Sequence, residues 1–252
     1  VNMVYVPFLV EQGRLEDAIK GAYGLHILGC NVTVPYKNDV IPYLAQIDEL
    51  AAKMGSVNTL VRVDGGYKGY NTDMTGLYRA MSSDGVSIQG EQVIVLGAGG
   101  VGRAVAFMCA AKGAAHVWLL NRTVEKADEV AKEVNLTEGR SCVEALAMSD
   151  YDKLPDEKYL VIQSTSVGLY PHVEDAVITD PAFYHKVKAG YDLIYRPWET
   201  RFMQLVKEQG APAYNGLKML LYQGIEAFEL WNQCKIEDES AYKLYEMLRT
   251  TV

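Results

Sequence analysis

The stretch that decides the fold lies near the middle of the chain and reads Gln92-Val93-Ile94-Val95-Leu96-Gly97-Ala98-Gly99-Gly100-Val101-Gly102. It begins with a mainly apolar run, which is typical of a strand buried on both faces of a parallel sheet. The rest matches G-x-G-x-x-G, in which the first glycine permits a tight turn, the second lets a pyrophosphate approach the backbone and the third allows close helix packing. Because helical spacing follows over residues 102–112, the N-terminal N–H groups of that helix also suit a phosphate. We expect residues 97–102 to bind a dinucleotide, with a merely flexible turn as the alternative.

Strands and helices continue to alternate after this stretch. The periodicity of the apolar residues predicts them in turn at residues 116–120, 124–134, 159–163, 182–185, 190–194 and 200–209. Such alternation is typical of a parallel sheet with helices on both faces. The sequence therefore predicts an α/β fold with a Rossmann-type doubly wound domain.

The N-terminal part of the chain predicts a second, smaller α/β domain. Apolar and β-branched runs at residues 4–10 and 30–34 flank helical spacing at residues 16–25, which predicts a βαβ unit and a mostly parallel sheet. Pro35 fits the first position of a helix that runs to about residue 47.

A hairpin and a helix complete this part. Residues 57–63 and 67–70 flank the turn sequence Asp64-Gly65-Gly66, so we expect an antiparallel edge. A helix over residues 73–81 then leads to a polar break at residues 82–85. We place a domain boundary at this break.

Two helices close the chain. Residues 216–232 and 239–249 have amphipathic spacing, and their apolar faces need a surface to cover. We expect them to return to the first domain. The predicted domains are therefore a discontinuous substrate-binding domain, residues 1–83 and 217–252, and a cofactor-binding Rossmann domain, residues 84–216.

The composition excludes several classes of protein. Among 252 residues, 24 Lys and Arg stand against 32 Asp and Glu, a net charge of −8, whereas nucleic acid requires a positive surface. No apolar run approaches the roughly 20 residues of a membrane-spanning helix and no secretory leader is present, so we expect a cytoplasmic protein. The cysteines and histidines show no metal-binding spacing, so no metal is expected. Because Val1 stands where Met is usual, we expect that the front of the protein is missing.

The end of the second Rossmann strand predicts which dinucleotide binds. A domain that selects NAD usually carries Asp or Glu there, to hold the ribose 2′-hydroxyl. This chain instead reads Asn121-Arg122-Thr123. Arg122 can pair with a 2′-phosphate and Thr123 can donate a hydroxyl to it, which favours NADP. The alternative for Arg122 is an ordinary solvated surface residue.

Lys37 and Asp73 are the candidates for proton transfer. Lys37 falls in the first turn of the helix predicted from Pro35, where burial and the positive end of the dipole favour a neutral amine. Such a lysine can donate and accept a proton near neutral pH. Asp73 begins the next predicted helix, where it can accept a hydrogen bond from a substrate hydroxyl and pair with Lys37. An exposed lysine and a helix-start carboxylate are the alternatives.

Two amide side chains are candidates for holding a substrate. Asn58 lies in Gly55-Ser-Val-Asn-Thr59, either as a turn residue or as a substrate-binding amide. Gln223 lies four residues after Met219 and therefore on the same face of the late helix.

Together these segments resemble the shikimate dehydrogenase family, including its shikimate/quinate members, over nearly the whole chain. The matching segments are, in order, Asn31-Val-Thr-Val-Pro-Tyr-Lys37, Gly55-Ser-Val-Asn-Thr59, Asn71-Thr-Asp73, the glycine turn, Asn121-Arg-Thr123, Ser164-Thr-Ser-Val-Gly-Leu169, Asp192-Leu-Ile-Tyr195 and Gly216-Leu-Lys-Met-Leu-Leu-Tyr-Gln223. Several motifs in the right order are far more specific than any one of them.

The resemblance implies a role for individual residues. Lys37 and Asp73 are implied to be the catalytic pair. The substrate is implied to contact four side chains, those of Thr33, Asn58 and Gln223 at its hydroxyls and that of Tyr195. The nicotinamide side of the cofactor site is implied to include Thr165, Val167, Gly216 and Met219.

Three departures from the family pattern are visible. The family has an earlier strand and helix with a Ser-x-Ser that binds the substrate carboxylate, and this chain starts after it. Either that piece is missing, or the protein has lost substrate affinity and kept its cofactor site. Gln163 stands where Asn is common, and Ser56 replaces a usual Ala.

The resemblance implies reversible, NADPH-dependent reduction of 3-dehydroshikimate to shikimate, in the biosynthesis of chorismate and aromatic amino acids. The alternatives are a quinate/shikimate dehydrogenase with relaxed substrate or cofactor use, and a non-catalytic NADP-binding module. A methylene-tetrahydrofolate dehydrogenase-like enzyme fits the ordered motifs less well. We expect a monomer or homodimer whose partners are small-molecule substrates.

Overall fold

The computed structural model describes residues 2–251. Backbone contacts divide them into two compact units: residues up to 71 with residues 227–234, and residues 72–226 with those from 235 onward. Residues 72–83, residues 217–226 and those from 235 onward therefore group with the second unit. The division into a substrate-binding and a cofactor-binding domain stays a prediction.

The first unit combines a four-stranded sheet with two helices. Its elements are α1 (Leu15–Gly24), β1 (Gly29–Asn31), β2 (Gln46–Ile47), α2 (Glu49–Met54), β3 (Thr59–Val63) and β4 (Gly66–Tyr70). The strand order is β1-β3-β4-β2. The core contains Leu15, Ile19, Val32, Val40, Ala51, Val57, Leu60 and Tyr67.

The predicted hairpin is confirmed, but the prediction of a mostly parallel sheet is wrong. Strand β3 pairs antiparallel with both β1 and β4, and of the pairings described in this four-stranded sheet only that of β2 with β4 is parallel. The short turn at Gly65, with φ +78°, forces β3 and β4 to run in opposite directions.

Two further predictions fail in this unit. Residues 4–10 form no strand and are mostly exposed. The helix predicted from Pro35 to residue 47 is replaced by turns, a short 3-10 helix at Ile41–Tyr43 and β2. Pro35 and Pro42 explain this difference, because a proline removes a backbone donor and disfavours helical geometry in the residue before it.

The second unit combines a six-stranded sheet with helices. Its elements are α3 (Thr72–Ser83), β5 (Gln92–Leu96), α4 (Gly100–Ala111), β6 (His116–Asn121), α5 (Val124–Glu138), β7 (Val143–Ala147), β8 (Tyr159–Gln163), α6 (Pro181–Tyr184), β9 (Val187–Asp192), α7 (Arg201–Glu208) and β10 (Ala213–Tyr214). Helix α8 (Leu217–Asn232) contains the division between the units, and α9 (Asp238–Thr251) follows it.

The doubly wound α/β prediction is confirmed. The strand order is β10-β9-β8-β5-β6-β7, and every pairing is parallel. Strands β7 and β10 were not predicted. Strand β7 is rich in Glu, Ala and Leu, which favour helices, so its pairing with β6 overrides local preference.

The carboxyl ends of the central strands lie level with one another. Leu96 at the end of β5 is in register with Gln163 of β8, and Gln163 is in register with Asp192 of β9. The strand order reverses at β5, and ligands of such sheets bind beyond the carboxyl ends at this reversal. None of the described helices is long and apolar enough to cross a membrane.

Candidate active site

The glycine turn joins β5 to α4, and packing requires two of its glycines. Gly97 has φ +102°, which L side chains rarely adopt, and a Cβ there would lie 2.7 Å from Thr165 Cγ2. A Cβ on Gly102 would lie 1.9 Å from the carbonyl oxygen of Gly97. A side chain at position 102 would therefore force the helix away from the strand, and one at position 97 would displace the loop that carries Thr165.

The middle of the turn is open. Gly99 is the N-cap of α4, and a Cβ on Gly99 or Gly100 would meet no atom within 4 Å. Ala98 is buried, whereas Val101 is exposed. The N–H groups at the start of α4 thus border open space, where the helix dipole favours an anion. This geometry fits the pyrophosphate of a dinucleotide.

At the end of β6, the basic residue Arg122 directly follows Asn121, whose side chain is held by two hydrogen bonds. Asn121 Oδ1 accepts a 3.1 Å hydrogen bond from the N–H of Ala98, and Asn121 Nδ2 donates to the carbonyl oxygen of Thr123 at 2.8 Å. Arg122 and Thr123 are exposed, and residues 121–123 include no carboxylate. Asn121 therefore holds this segment against the glycine turn, and the composition of the segment suits a 2′-phosphate.

The loop after β8 also lies against the glycine turn. Ser164 Oγ donates to the carbonyl oxygen of Leu96 at 2.7 Å, and Thr165 Oγ1 accepts from the N–H of Val167 at 3.1 Å. Thr165 and Val167 are both half-buried. The two candidates from this loop therefore belong to one hydrogen-bonded turn.

The start of α8 is fixed to the segment after β9. The N–H of Gly216 donates to the carbonyl oxygen of Ile194 at 2.9 Å, and a Cβ on Gly216 would lie 2.1 Å from that of Leu193. Tyr195 follows in this segment, and Met219 lies in the first turn of α8; both are half-buried. Only glycine at position 216 allows this approach.

Asp73 and Gln223 lie on two helices that approach closely. A Cβ on Gly76 would lie 2.6 Å from the backbone nitrogen of Gln223, so α3 contacts α8 backbone there. Asp73 precedes Gly76 by three residues and therefore lies on the same side of α3. Gln223 Nε2 donates to the carbonyl oxygen of Leu220 at 3.0 Å. The structure thus turns the Asp73 side of α3 toward α8.

The candidates of the first unit lie on two adjoining segments. The N–H of Val57 donates to the carbonyl oxygen of Lys37, and the N–H of Val32 donates to that of Asn58, both at 2.8 Å. Asn58 is buried, Lys37 is half-buried and Thr33 is exposed. Backbone hydrogen bonds therefore bring these three predicted residues into one neighbourhood.

One premise about Lys37 is wrong. It lies in a turn rather than in the first turn of an α-helix, because the helix predicted from Pro35 does not form. The positive end of a helix dipole therefore does not act on Lys37. Any proton transfer by Lys37 must depend on its neighbours at the substrate.

The predicted residues are divided between the two units. Thr33, Lys37 and Asn58 belong to the first unit, and the other candidates belong to the second. The pairing of Lys37 with Asp73 on a substrate therefore stays a prediction. Within residues 2–251, no group of three or more His, Cys, Asp and Glu side chains is arranged to hold a metal ion.

Sequence reasoning missed the importance of Gln163 and Asp192, two fully buried polar residues at the sheet edge. Burial raises the pKa of Asp192 to about 6, even though the carboxylate accepts hydrogen bonds from Thr200, Ile194 and Gln163. The available signal for Gln163 was its position at the end of a predicted apolar strand, whereas the strand predicted at residues 190–194 placed Asp192 in its middle.

Family models match three parts of the chain. The shikimate dehydrogenase substrate binding domain matches residues 1–60, and the shikimate / quinate 5-dehydrogenase domain matches residues 80–178. The shikimate 5′-dehydrogenase C-terminal domain matches residues 216–242.

Similar proteins support the same grouping. Shikimate dehydrogenase (NADP(+)) of Moorella thermoacetica is 40% identical over 232 residues, which cover 91% of this chain and 78% of that protein. The protein of that name from Methanothermobacter thermautotrophicus is 37% identical over 235 residues, covering 92% and 81%. The structure is also similar to a shikimate dehydrogenase solved in complex with NADP⁺, with a TM-score of 0.85, 32% identity and coverage of 100% of this chain and 86% of the other. With its glycine turn, its two units and these matches, the chain belongs to the shikimate dehydrogenase family.

Proposed function

We propose that this protein catalyses the reversible, NADPH-dependent reduction of 3-dehydroshikimate to shikimate, a step in aromatic amino-acid biosynthesis. The observation that carries the proposal is the open glycine turn beside an exposed Arg122, in a chain that belongs to the family. A cytoplasmic location and a monomer or homodimer stay predictions.

The cofactor supplies a hydride when it is bound. The backbone N–H groups near Gly99 and Gly100 hold its pyrophosphate, and Arg122 and Thr123 hold its 2′-phosphate. The residues on the nicotinamide side are Thr165, Val167, Gly216 and Met219. This assignment is supported by the hydrogen-bonded loop after β8 and by the fixed start of α8.

The protein must also manage one proton and hold the substrate. In reduction, Lys37 donates a proton from its ammonium Nζ to the oxygen of the former carbonyl, and it recovers that proton from solvent. Asp73 accepts a hydrogen bond from the reacting hydroxyl and orients it toward Lys37. The remaining substrate contacts are made by Thr33, Asn58, Gln223 and Tyr195.

The test is a steady-state assay of the purified protein with shikimate or quinate and with NADP⁺ or NAD⁺, monitored by absorbance of the reduced nicotinamide. We expect the largest kcat/KM with shikimate and NADP⁺. Comparable values with quinate or NAD⁺ would instead indicate the relaxed quinate/shikimate enzyme. NADPH binding without turnover of either acid would indicate the non-catalytic module and overturn the proposal.

A further inference from the structure

Three buried polar side chains form a cluster at the carboxyl edge of the large sheet. Gln163 ends β8, Asp192 ends β9, and Thr200 is the N-cap of α7. Gln163 and Asp192 are fully buried, and Thr200 is 1% exposed. Burying a carboxylate costs free energy unless hydrogen bonds and geometry compensate it.

Asp192 binds three separate groups. Its Oδ1 accepts hydrogen bonds from the N–H of Ile194 at 2.9 Å and from Gln163 Nε2 at 3.4 Å. Its Oδ2 accepts from Thr200 Oγ1 at 2.6 Å. The carboxylate therefore fixes the chain that leaves β9 and orients the Gln163 amide.

Gln163 in turn fixes the loop that follows β8. Its Oε1 accepts from the N–H of Thr165 at 2.5 Å. Its Nε2 lies 3.1 Å from the carbonyl oxygen of Val167 and 3.3 Å from that of Thr165. Both ends of this tight loop are thus held by one buried amide.

The same cluster reaches the start of α8. Ile194, which Asp192 holds by its N–H, accepts through its carbonyl oxygen from the N–H of Gly216. The Thr165 methyl lies against Gly97 of the glycine turn. The segments that meet at the cluster are therefore the ones carrying Thr165, Val167 and Gly216.

We infer that Asp192 and Gln163 are positioning residues for the nicotinamide half of the cofactor: they touch no ligand but set the backbone that does. The inference rests on the proposed function. It predicts that loss of the cluster weakens binding of the nicotinamide half and spares the adenosine half, whose residues lie at the ends of β5 and β6.

The test compares two ligands, NADPH and 2′-phospho-ADP-ribose, which lacks the nicotinamide. Asp192→Ala removes all three acceptor contacts, and Gln163→Met removes only the hydrogen bonds of the amide. We expect either variant to weaken NADPH binding roughly 10- to 100-fold, the value of one lost charged or buried hydrogen bond. Binding of 2′-phospho-ADP-ribose should stay within about 3-fold of wild type.

Two controls separate positioning from general destabilisation. Asp192→Asn keeps an acceptor for Ile194 and Gln163 and should restore NADPH binding. Tyr184→Phe removes another buried hydrogen bond of the second unit, from Tyr184 Oη to the carbonyl oxygen of Ile178. It should weaken neither ligand. If Asp192→Ala does not fold, the binding of the two ligands to Gln163→Met tests the inference.

Each outcome is decisive. Loss of NADPH binding alone supports the inference. Equal loss of both ligands, or NADPH binding as in wild type, overturns it and leaves the proposed function intact. A wild-type protein that binds neither ligand overturns both proposals.

Discussion

The glycine turn and the segments around Lys37 hold their functional groups in opposite ways. The turn offers backbone N–H groups at a helix start, braced by a parallel sheet and by Asn121. The Lys37 segment offers side chains on irregular turns, joined to residue 57 by a backbone hydrogen bond. A backbone site tolerates changes of side chain wherever glycine is not required. A side-chain site depends on single residues, so substitutions should separate the two regions.

The largest effect is expected at the side-chain site. Lys37→Ala should lower kcat by roughly 10² to 10⁴, the usual contribution of a positioned proton donor, and should change KM little. Lys53→Ala is the matched control, because Lys53 is another half-buried lysine of the first unit. Steady-state kinetics of the two variants compare their kcat values, and only Lys37→Ala should lose activity. Near-normal turnover of Lys37→Ala would remove its role.

The buried carboxylate at the sheet edge should make stability depend on pH. The pKa of Asp192 is about 6 in the folded protein, above its ordinary value of 3.8, so folding favours the protonated form. The contribution of protonated Asp192 to the free energy of unfolding is fully present below about pH 4. It is lost as pH rises through about 6, a change of roughly 3 kcal/mol.

Urea unfolding of wild type and Asp192→Asn across this pH range measures that change. Relative to wild type, the free energy of unfolding of Asp192→Asn should rise by roughly 3 kcal/mol between pH 4 and 7, because the variant has no carboxyl group to ionise there. Asp156→Asn is the control, because Asp156 is fully exposed. A difference between Asp192→Asn and wild type that does not vary with pH contradicts the assignment.

The choice between NADPH and NADH tests the charged side chain that we propose for the 2′-phosphate. Arg122→Ala should weaken NADPH binding by roughly 1.5–3 kcal/mol, the value of a charged hydrogen bond, and leave NADH binding unchanged. Lys132→Ala removes an exposed positive charge from α5 and should change neither affinity. Equal weakening of both dinucleotides would show that Arg122 does not recognise the 2′-phosphate.

Substitution of two glycines of the turn should affect different properties, stability at Gly102 and cofactor binding at Gly99. Gly102→Ala places a Cβ against the carbonyl oxygen of Gly97 and should cost about 1–3 kcal/mol of stability. Gly99→Ala meets no protein atom, so it should keep the melting temperature and weaken NADPH binding. Thermal unfolding and fluorescence titration of both variants separate packing from ligand approach. Identical behaviour would contradict the division of roles.

The sequence predicted the second unit better than the first for a physical reason. The strand before the glycine turn, the turn and helix α4 are specified by contiguous residues, and their boundaries fall within two residues of the prediction. The segment after Pro35 also has helical periodicity, but its prolines oppose a helix. Local pattern was therefore sufficient in one region and misleading in the other.

The cluster of Gln163 and Asp192 could not be predicted from local pattern. The two residues lie 29 positions apart and meet because β8 and β9 pair in parallel register. Lys37 and Asn58 were candidates from their sequence context and Thr33 from the resemblance alone, and the structure supplies the hydrogen bonds that bring their segments together.

The central claim is that Lys37 and Asp73 act together on one substrate, and a double-mutant cycle on kcat tests it most directly. The account predicts that Lys37→Ala combined with Asp73→Ala loses about as much activity as the worse single variant, because residues that act as a unit are not additive. Losses that multiply would show that the amine and the carboxylate work independently, and would contradict the account.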